Sequence, residues 1–155
     1  MQNVETRIVE SISEEVAQMQ NTIRMRAYYK YLTHPSEHHM ALEDWFSAEN
    51  EVLRPIDSGI YLVEGETQII AYFDIRHADP KRITVLVTST EALVNEKPAG
   101  TRPPIFDVIR FSRKIDPAQV HVECNRGRVR MAAPIVALST FWKDSSGIIL
   151  TQRKK

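Results

Sequence analysis

Four residues of metal-ligand type lie within six positions of the sequence. His34, Glu37, His38 and His39 stand in the stretch HPSEHH, and imidazole and carboxylate groups are common ligands of zinc and related ions. A tetrahedral site also needs a fixed scaffold and usually a ligand from elsewhere in the chain. Because the Pro-Ser step inside the stretch is typical of a turn between helices, we favour a polar connection and predict no metal site.

Three arginines at alternate positions could contact phosphate groups. Arg126, Arg128 and Arg130 lie in the stretch NRGRVR, and a row of guanidinium groups suits an anionic backbone. The alternative is the solvated face of a strand, whose charges discourage pairing at an edge. The chain has 20 basic and 20 acidic residues, and no aromatic residues are interleaved with the arginines. We therefore favour the solvated face and expect no nucleic-acid partner.

The sequence carries no pattern typical of an enzyme. It lacks a Ser-His-Asp order, a Gly-rich phosphate loop and a paired-carboxylate spacing, and no base can be placed beside the single cysteine, Cys124. We therefore expect neither catalysis nor a cofactor. One thiol, no signal core and no apolar run long enough to span a bilayer predict a soluble protein of the cytoplasm, with no membrane partner.

The first third of the chain has helical periodicity. One apolar stripe has spacings of three and four residues and comprises Ile8, Ile12, Val16, Met19, Ile23, Ala27 and Tyr31. A second comprises Ala41, Trp45, Ala48 and Val52. Because neither stripe can be buried alone, the pattern predicts a helical hairpin, with one helix over about residues 12–33 and a second that ends before Pro55.

After Pro55 the periodicity changes to that of strands. Seven short segments rich in Val, Ile, Tyr, Phe and Thr are separated by turn residues, at 58–63, 67–75, 82–87, 92–96, 105–111, 120–125 and 128–133. No helical pattern intervenes, which predicts an antiparallel sandwich. Gly127 lies at the turn of the last hairpin. The fold class is therefore α+β, with an N-terminal helical hairpin followed by a β-sandwich.

The order of several short motifs in the second part resembles the alpha-crystallin domain of small heat-shock proteins, over about residues 58–135. The positions that carry the resemblance are Asp79, Pro80, Lys81, Arg82, Ile83, Val85 and Val87, then Ala92, Leu93 and Val94, then Ile115, Asp116, Pro117 and Val120, and last Gly127, Val129, Met131 and Pro134. The resemblance implies a sandwich of the alpha-crystallin type and a chaperone that works without ATP.

The same resemblance implies two binding elements. One is an apolar groove beside Val85, Val87, Val120 and Val122, with unpaired strand edges that bind partly unfolded proteins. The other is a tail that docks through alternate apolar side chains, which Ile148 and Leu150 would supply. An alternative for the tail is a short final strand or helix.

One loop departs from the family pattern. Only residues 98–104 join the strand that ends near Glu96 to the one that begins near Ile105. Bacterial members carry an exchanged strand in a long loop at this place. We therefore expect the usual dimer to be absent or built differently. The oligomeric state is left open, with a homo-oligomer among the alternatives.

The helical part resembles a short bacterial domain of unknown function, over about residues 14–53. The motif residues in the second helix are Asp44, Trp45, Ala48 and Glu49. The resemblance implies a fold and a bacterial origin but no activity. A tryptophan at stripe spacing is more often a core residue than a partner site, so we expect Trp45 to pack between the helices.

These observations predict three regions and two alternative functions. The regions are a helical hairpin domain at 1–54, a sandwich at 55–135 and a C-terminal extension at 136–155. Residues 1–55 contain five basic and nine acidic residues, a net charge of minus four that the remainder balances. The first function is a holdase that binds unfolded proteins; the second is a scaffold or adaptor that binds one specific protein partner.

Overall fold

A computed structural model of the chain describes residues 1–33, 41–136, 139–143 and 149–153. It contains two α-helices, two short 3₁₀ helices (Pro80–Arg82 and Pro117–Gln119) and eleven strands in those ranges. The helices are α1 (Ser13–Thr33) and α2 (Ala41–Val52). The strands are β1 (Gln2–Asn3), β2 (Glu5–Ile8), β3 (Asp57–Glu64), β4 (Gln68–Asp74), β5 (Ile83–Val87), β6 (Glu91–Glu96), β7 (Phe106–Arg110), β8 (His121–Asn125), β9 (Arg128–Pro134), β10 (Ser139–Lys143) and β11 (Ile149–Arg153).

Nine of these strands form two sheets. The larger sheet has the order β1-β8-β9-β4-β3 and the smaller one β2-β5-β6-β7. Every pairing within them is antiparallel except that of β2 with β5, which is parallel. The predicted α+β class, with two helices followed by an antiparallel β-sandwich, is confirmed, and the parallel strand is an addition to it. β10 and β11 pair only with each other among the described strands.

The main core is built from side chains that alternate along the strands. In β5 the residues Ile83, Val85 and Val87 are buried in it, and in β9 the residues Val129, Met131 and Ala133 are buried with them. Period-two alternation places such residues on one face of each strand, so the two sheets bury their inner faces together. Each buried branched side chain contributes about 1.5–3 kcal/mol relative to exposure.

The smaller sheet is also covered on part of its outer face. Leu86 and Leu93 point away from the main core and are buried with Ile12, which lies just before α1. Val9 and Val16 pack around this second cluster. The start of the helical region is therefore fixed to the outside of the smaller sheet by apolar contact.

The two helices pack against each other, as the stripes predict. Ile23 and Ala48 are buried, and the carboxylate of Glu51 pairs with Lys30 at 2.5 Å and with Arg26 at 3.3 Å. The hydrogen bond from Lys30 and the nearby positive charges hold the pKa of Glu51 below its ordinary value. In the described ranges, neither helix is long and apolar enough to cross a membrane.

Gly127 has a conformation and an environment that exclude a side chain. Its φ is +83°, and that of Arg126 beside it is +52°, as a two-residue hairpin turn requires. The carbonyl of Gly127 accepts the N–H of Ile75 at 2.7 Å. A Cβ on Gly127 would lie 2.7 Å from the Cα of Arg76. The turn of the last hairpin is thus pressed against the backbone that follows β4.

Replacing Gly127 with alanine is expected to destabilise the sandwich by more than the left-handed conformation alone costs. That conformation costs an alanine about 1–2 kcal/mol, and the contact with the Arg76 backbone adds to it. Urea unfolding measures the loss. Gly100→Ala is the matched control, since Gly100 has a φ of +63° and open space around its Cβ position. Equal losses in the two variants would contradict the role given to the Arg76 contact.

Candidate functional site

The predicted groove residues lie at the margin where the two sheets meet. Val85 and Val87 belong to β5, Val122 belongs to β8, and Val120 immediately precedes β8. Val85, Val87 and Val122 are at most 2% exposed, and Val120 is half-buried against the same core. The structure therefore brings the four residues into one cluster. This cluster is packed between the two sheets and does not form an open surface.

The strand edges at this margin are paired with the chain's own first residues. β1 pairs with β8, with Gln2 opposite Cys124, and β2 pairs with β5, with Thr6 opposite Val85. Between the two strands, the N–H of Val4 donates to the carbonyl of Val122 at 3.1 Å. We call residues 2–9 the N-terminal segment; it crosses from the larger sheet to the smaller one and follows both edges.

The expectation of an unpaired margin is therefore wrong. The helical pattern assigned Ile8 to the first helix stripe, whereas the structure places it in β2, where its side chain is 59% exposed. Strand pairing prevailed because two neighbouring edges offer backbone partners to any extended chain that reaches them. That partly unfolded proteins bind beside these valines stays a prediction.

One side chain holds the N-terminal segment in the core. Val4 is 5% exposed and belongs to the main core, whereas Thr6 is half-buried. Burial of one valine contributes about 1.5–3 kcal/mol, while ordering the backbone costs about 1–2 kcal/mol for each residue. Backbone hydrogen bonds must supply most of the remaining stabilisation, at about 0.5–1.5 kcal/mol each. The segment is consequently held more weakly than the interior strands.

A largely buried ion pair joins the end of α2 to the smaller sheet. Arg54, two residues after α2, lies 3.4 Å from Glu96 and donates from Nε to the carbonyl of Pro103 at 2.9 Å. Glu96 also accepts the N–H of Ile105 at 2.9 Å. The two side chains are 17% and 8% exposed. Together these bonds connect α2 to the strands on either side of the short loop at 98–104.

Sequence reasoning missed this ion pair, although a signal for it exists. Glu96 continues the alternate series of Ala92 and Val94 in β6, and both of those residues are fully buried. A carboxylate in an inward series must find a partner, because an unpaired buried charge is costly. The partner, Arg54, is 42 positions away in the sequence, so no local pattern identifies it.

The motif residues of α2 lie on or beside its buried side. Ala48 is fully buried, Asp44 is 9% exposed, and Trp45 is half-buried with its Nε1 donating to Glu49 at 3.1 Å. The buried position of Ala48 agrees with a packing face towards α1. Their functional role stays a prediction.

Two residues of the arginine row, Arg128 and Arg130, lie on the outer face of the larger sheet. Arg128 is opposite Asp74 in β4, and Arg130 is opposite both Tyr72 and Glu123. Cys124 is buried on the other face, 3% exposed. Arg128 is exposed and Arg130 half-buried on that face, whereas Arg126, expected in the same row, lies in the turn between β8 and β9.

A shallow cavity of about 360 Å³ lies on the same outer face. Its walls include Tyr61, Tyr72 and Arg128. Hydrogen bonds from Arg76, at 2.6–2.9 Å, hold the pKa of the Asp74 carboxyl below its ordinary value. The guanidinium of Arg76 is therefore already paired with Asp74 within the protein.

Two sequence predictions fall on residues outside the described ranges. His34, Glu37, His38 and His39 lie there, as does Ile148 of the predicted tail motif. Leu150 lies in β11, where its backbone is opposite Trp142 of β10. Within the described ranges, no three His, Cys, Asp or Glu residues are arranged to hold a metal ion. Docking of the tail stays a prediction.

Comparison with known proteins gives similarities to solved structures. No family model and no curated protein matches the chain. A heat shock protein 16.0 from Schizosaccharomyces pombe is 15% identical with a TM-score of 0.45, over 56% of this chain and 93% of that one. A small heat-shock protein from Xylella fastidiosa is 14% identical with a TM-score of 0.45, over 52% and 87%. Stress-induced protein 1 from Caenorhabditis elegans is 14% identical with a TM-score of 0.42, over 61% and 78%.

Replacing Glu96 with alanine is expected to lower the free energy of unfolding by about 1–3 kcal/mol, because the buried N–H of Ile105 loses its acceptor and Arg54 keeps only the exposed Asp57, at 3.8 Å, as a partner. Urea unfolding at neutral pH measures the change. Glu91→Ala is the matched control in the same strand, since Glu91 lies 4.0 Å from an Arg110 that is 81% exposed, and exposed pairs contribute about 0–1 kcal/mol. A Glu96→Ala variant as stable as the control would contradict a structural role for the pair.

Proposed function

We propose that the protein is an ATP-independent chaperone that holds partly unfolded proteins in the groove between β5 and β8 when the N-terminal segment leaves it. The observation that carries the proposal is that this groove already holds an extended segment with an apolar side chain, Val4, in the core. An exposed segment of an unfolded protein offers the same backbone groups and the same kind of side chain.

Holding such segments needs no chemical step. Binding lowers the concentration of the species that aggregate, and the bound protein is released by mass action. The motif order that resembles small heat-shock proteins, from Asp79 to Pro134, supports this function, and so does the two-layer sandwich. Ile148 and Leu150, two positions apart, would suit the same groove from a neighbouring copy, which makes the tail a second candidate occupant.

The N-terminal segment sets the affinity in this proposal. A binding site that is free in only a fraction of the molecules has its apparent affinity reduced by that fraction. Changes that loosen the segment should therefore strengthen client binding, and changes that fix it should abolish binding. A change that loosens the segment can be made at Val4. A change that fixes it can be made at the pairing of β1 with β8.

A disulfide between β1 and β8 is expected to abolish chaperone activity. Gln2 is opposite Cys124 in the antiparallel pair, and opposite residues there have Cα atoms about 4.5–5.5 Å apart, within the range of a disulfide. In Gln2→Cys, light scattering of a heat-labile client should show aggregation when the variant is oxidised and protection when it is reduced. Asn3→Cys, which is opposite Glu123, is the control that should be insensitive to oxidant.

The companion variant is Val4→Ala, which should protect the client at lower concentration than the unmodified protein. Loss of two buried methyl groups weakens the segment by about 1–2 kcal/mol. Ile8→Ala is its control, because Ile8 is largely exposed. Equal protection by oxidised and reduced Gln2→Cys would exclude the groove as the binding site. Unchanged client aggregation with every variant would exclude the chaperone.

A specific adaptor is the second candidate function, and the outer strand of the larger sheet favours it. No described strand pairs with the outer edge of β3, which carries Tyr61, Leu62 and Val63 at 40–70% exposure. Such an edge accepts a strand from a partner. One partner protein bound at a fixed ratio, without protection of heat-labile clients, would choose this function over the first.

A further inference from the structure

The outer edge of β3 can accept another strand along its second half. Among the described strands, β3 pairs with β4 on one side and with none on the other. Sheet edges are usually protected by lysine, by proline or by a covering element, and β3 contains neither lysine nor proline. The N–H of Gly65 donates to the carbonyl of Gln68 across the turn at 2.8 Å. Because bonded and non-bonded pairs alternate along antiparallel strands, the backbone groups of Leu62 and Glu64 point away from β4.

The C-terminal hairpin of β10 and β11 is a pair of strands that lacks a larger sheet. The two strands have five residues each and pair only with each other among the described strands. A two-stranded hairpin is marginally stable in water unless a third strand or a packing partner is added. Pairing with the edge of β3 would supply that third strand.

Charge favours the same pairing. Residues 57–66, which comprise β3 and the turn after it, contain three acidic residues and no basic one. Residues 137–155 contain four basic residues and one acidic residue. Asp57 already lies 3.8 Å from a basic side chain, whereas Glu64 is bonded to a neutral hydroxyl and Glu66 is exposed. Two carboxylates at the end of β3 can therefore attract the basic segment.

The hairpin falls short of β3 in its own sheet. Ile135 continues the line of β9, with its N–H donating to the carbonyl of Thr67 at 2.9 Å, and Val136 follows it. Since the strand order is β9-β4-β3, a strand added to β3 would lie three strand spacings from that line, about 14 Å. Only two residues separate Val136 from Ser139, the first residue of β10, and they span at most about 11 Å. The edge that receives the hairpin must belong to another copy.

We propose that two copies of this chain exchange their C-terminal hairpins, each of which adds to the outer edge of β3 in the other copy. The exchange supplies partners for the outward backbone groups of Leu62 and Glu64. It also takes Leu150 of β11 away from the groove, whose edges the N-terminal segment already pairs. The inference does not rest on the proposed chaperone function, because β9 and β4 separate β3 from β8 and the groove.

Molecular mass in solution tests the exchange. At about 100 µM, where a micromolar interface is largely occupied, light scattering after gel filtration should give the mass of two or more chains. Leu62→Pro removes an outward N–H without removing a bond to β4. It should raise the dissociation constant at least about tenfold, because the hydrogen bond is lost at two symmetric contacts. A monomeric unmodified protein would overturn the proposal.

Arg110→Pro is the matched control at the outer edge of β7. The N–H of Phe111 donates to the carbonyl of Thr90 at 2.9 Å, so by the same alternation the N–H of Arg110 points away from β6. This variant should associate as the unmodified protein does, and circular dichroism confirms that both variants fold. A folded Leu62→Pro variant that associates as tightly as Arg110→Pro would overturn the proposal.

Cysteine cross-linking identifies the strands that meet without weakening the interface. Cys124, the chain's one cysteine, is buried, so an introduced thiol reports on its own neighbours. Leu62→Cys chains and Thr151→Cys chains, refolded together, should be joined by a short bis-maleimide. Coupling of Leu62→Cys chains only to each other would show β3 against β3. Coupling only inside a chain that carries both substitutions would place the hairpin on its own sheet. Either result would overturn the exchange.

Discussion

Two strand edges meet at one margin of the sandwich, and their backbone groups need hydrogen-bond partners. β5 would be an edge of the smaller sheet and β8 an edge of the larger one if residues 2–9 were elsewhere. Buried or half-buried N–H and C=O groups without partners cost about as much as lost hydrogen bonds. The N-terminal segment satisfies both edges in one pass, because its backbone changes sheets at Val4. The closure of the core and the proposed binding site both depend on this pairing.

The N-terminal segment and α1 are separated by only a short stretch of chain. Only three residues separate Val9, whose N–H donates to the carbonyl of Val87 at 3.0 Å, from the start of α1 at Ser13. Ile12 between them is buried on Leu86 and Leu93, while Arg54, which follows the C-terminal end of α2, is paired with Glu96 of the same sheet. Displacing the N-terminal segment would therefore strain the contact of Ile12 with Leu86 and Leu93.

The sequence predicted the elements in which apolar side chains recur at a regular short spacing, every two residues in strands and every three or four in helices. The seven segments from 58–63 to 128–133 all became strands, with ends shifted by at most one residue, because they are rich in branched and aromatic residues and turn residues bound each segment. α1 was also close to its expected range, because its stripe is long and Pro35 follows it. Gly127 was placed correctly in its turn.

The missed features depend on contacts between distant parts of the chain. β2 pairs with β5 across about eighty positions, and residues 2–8 are too few for alternation to stand out beside the helix stripe that absorbed Ile8. Arg54 and Glu96 show the same limit. The exposure of Tyr29 and Leu32 on α1 was missed for another reason: apolar residues on two faces of one helix give weak amphipathic periodicity. A groove could therefore be predicted, but not its occupant.

Hydrogen exchange at the amides of Val4 and Val9 tests the central claim most directly. Both amides donate across the margin, whereas that of Ala71 lies in β4, between β3 and β9. Weak retention of the N-terminal segment predicts that Val4 and Val9 exchange by local opening, much faster than Ala71, and faster still when an unfolded client saturates the protein. Exchange of all three amides at the rate of global unfolding, with or without client, would contradict it.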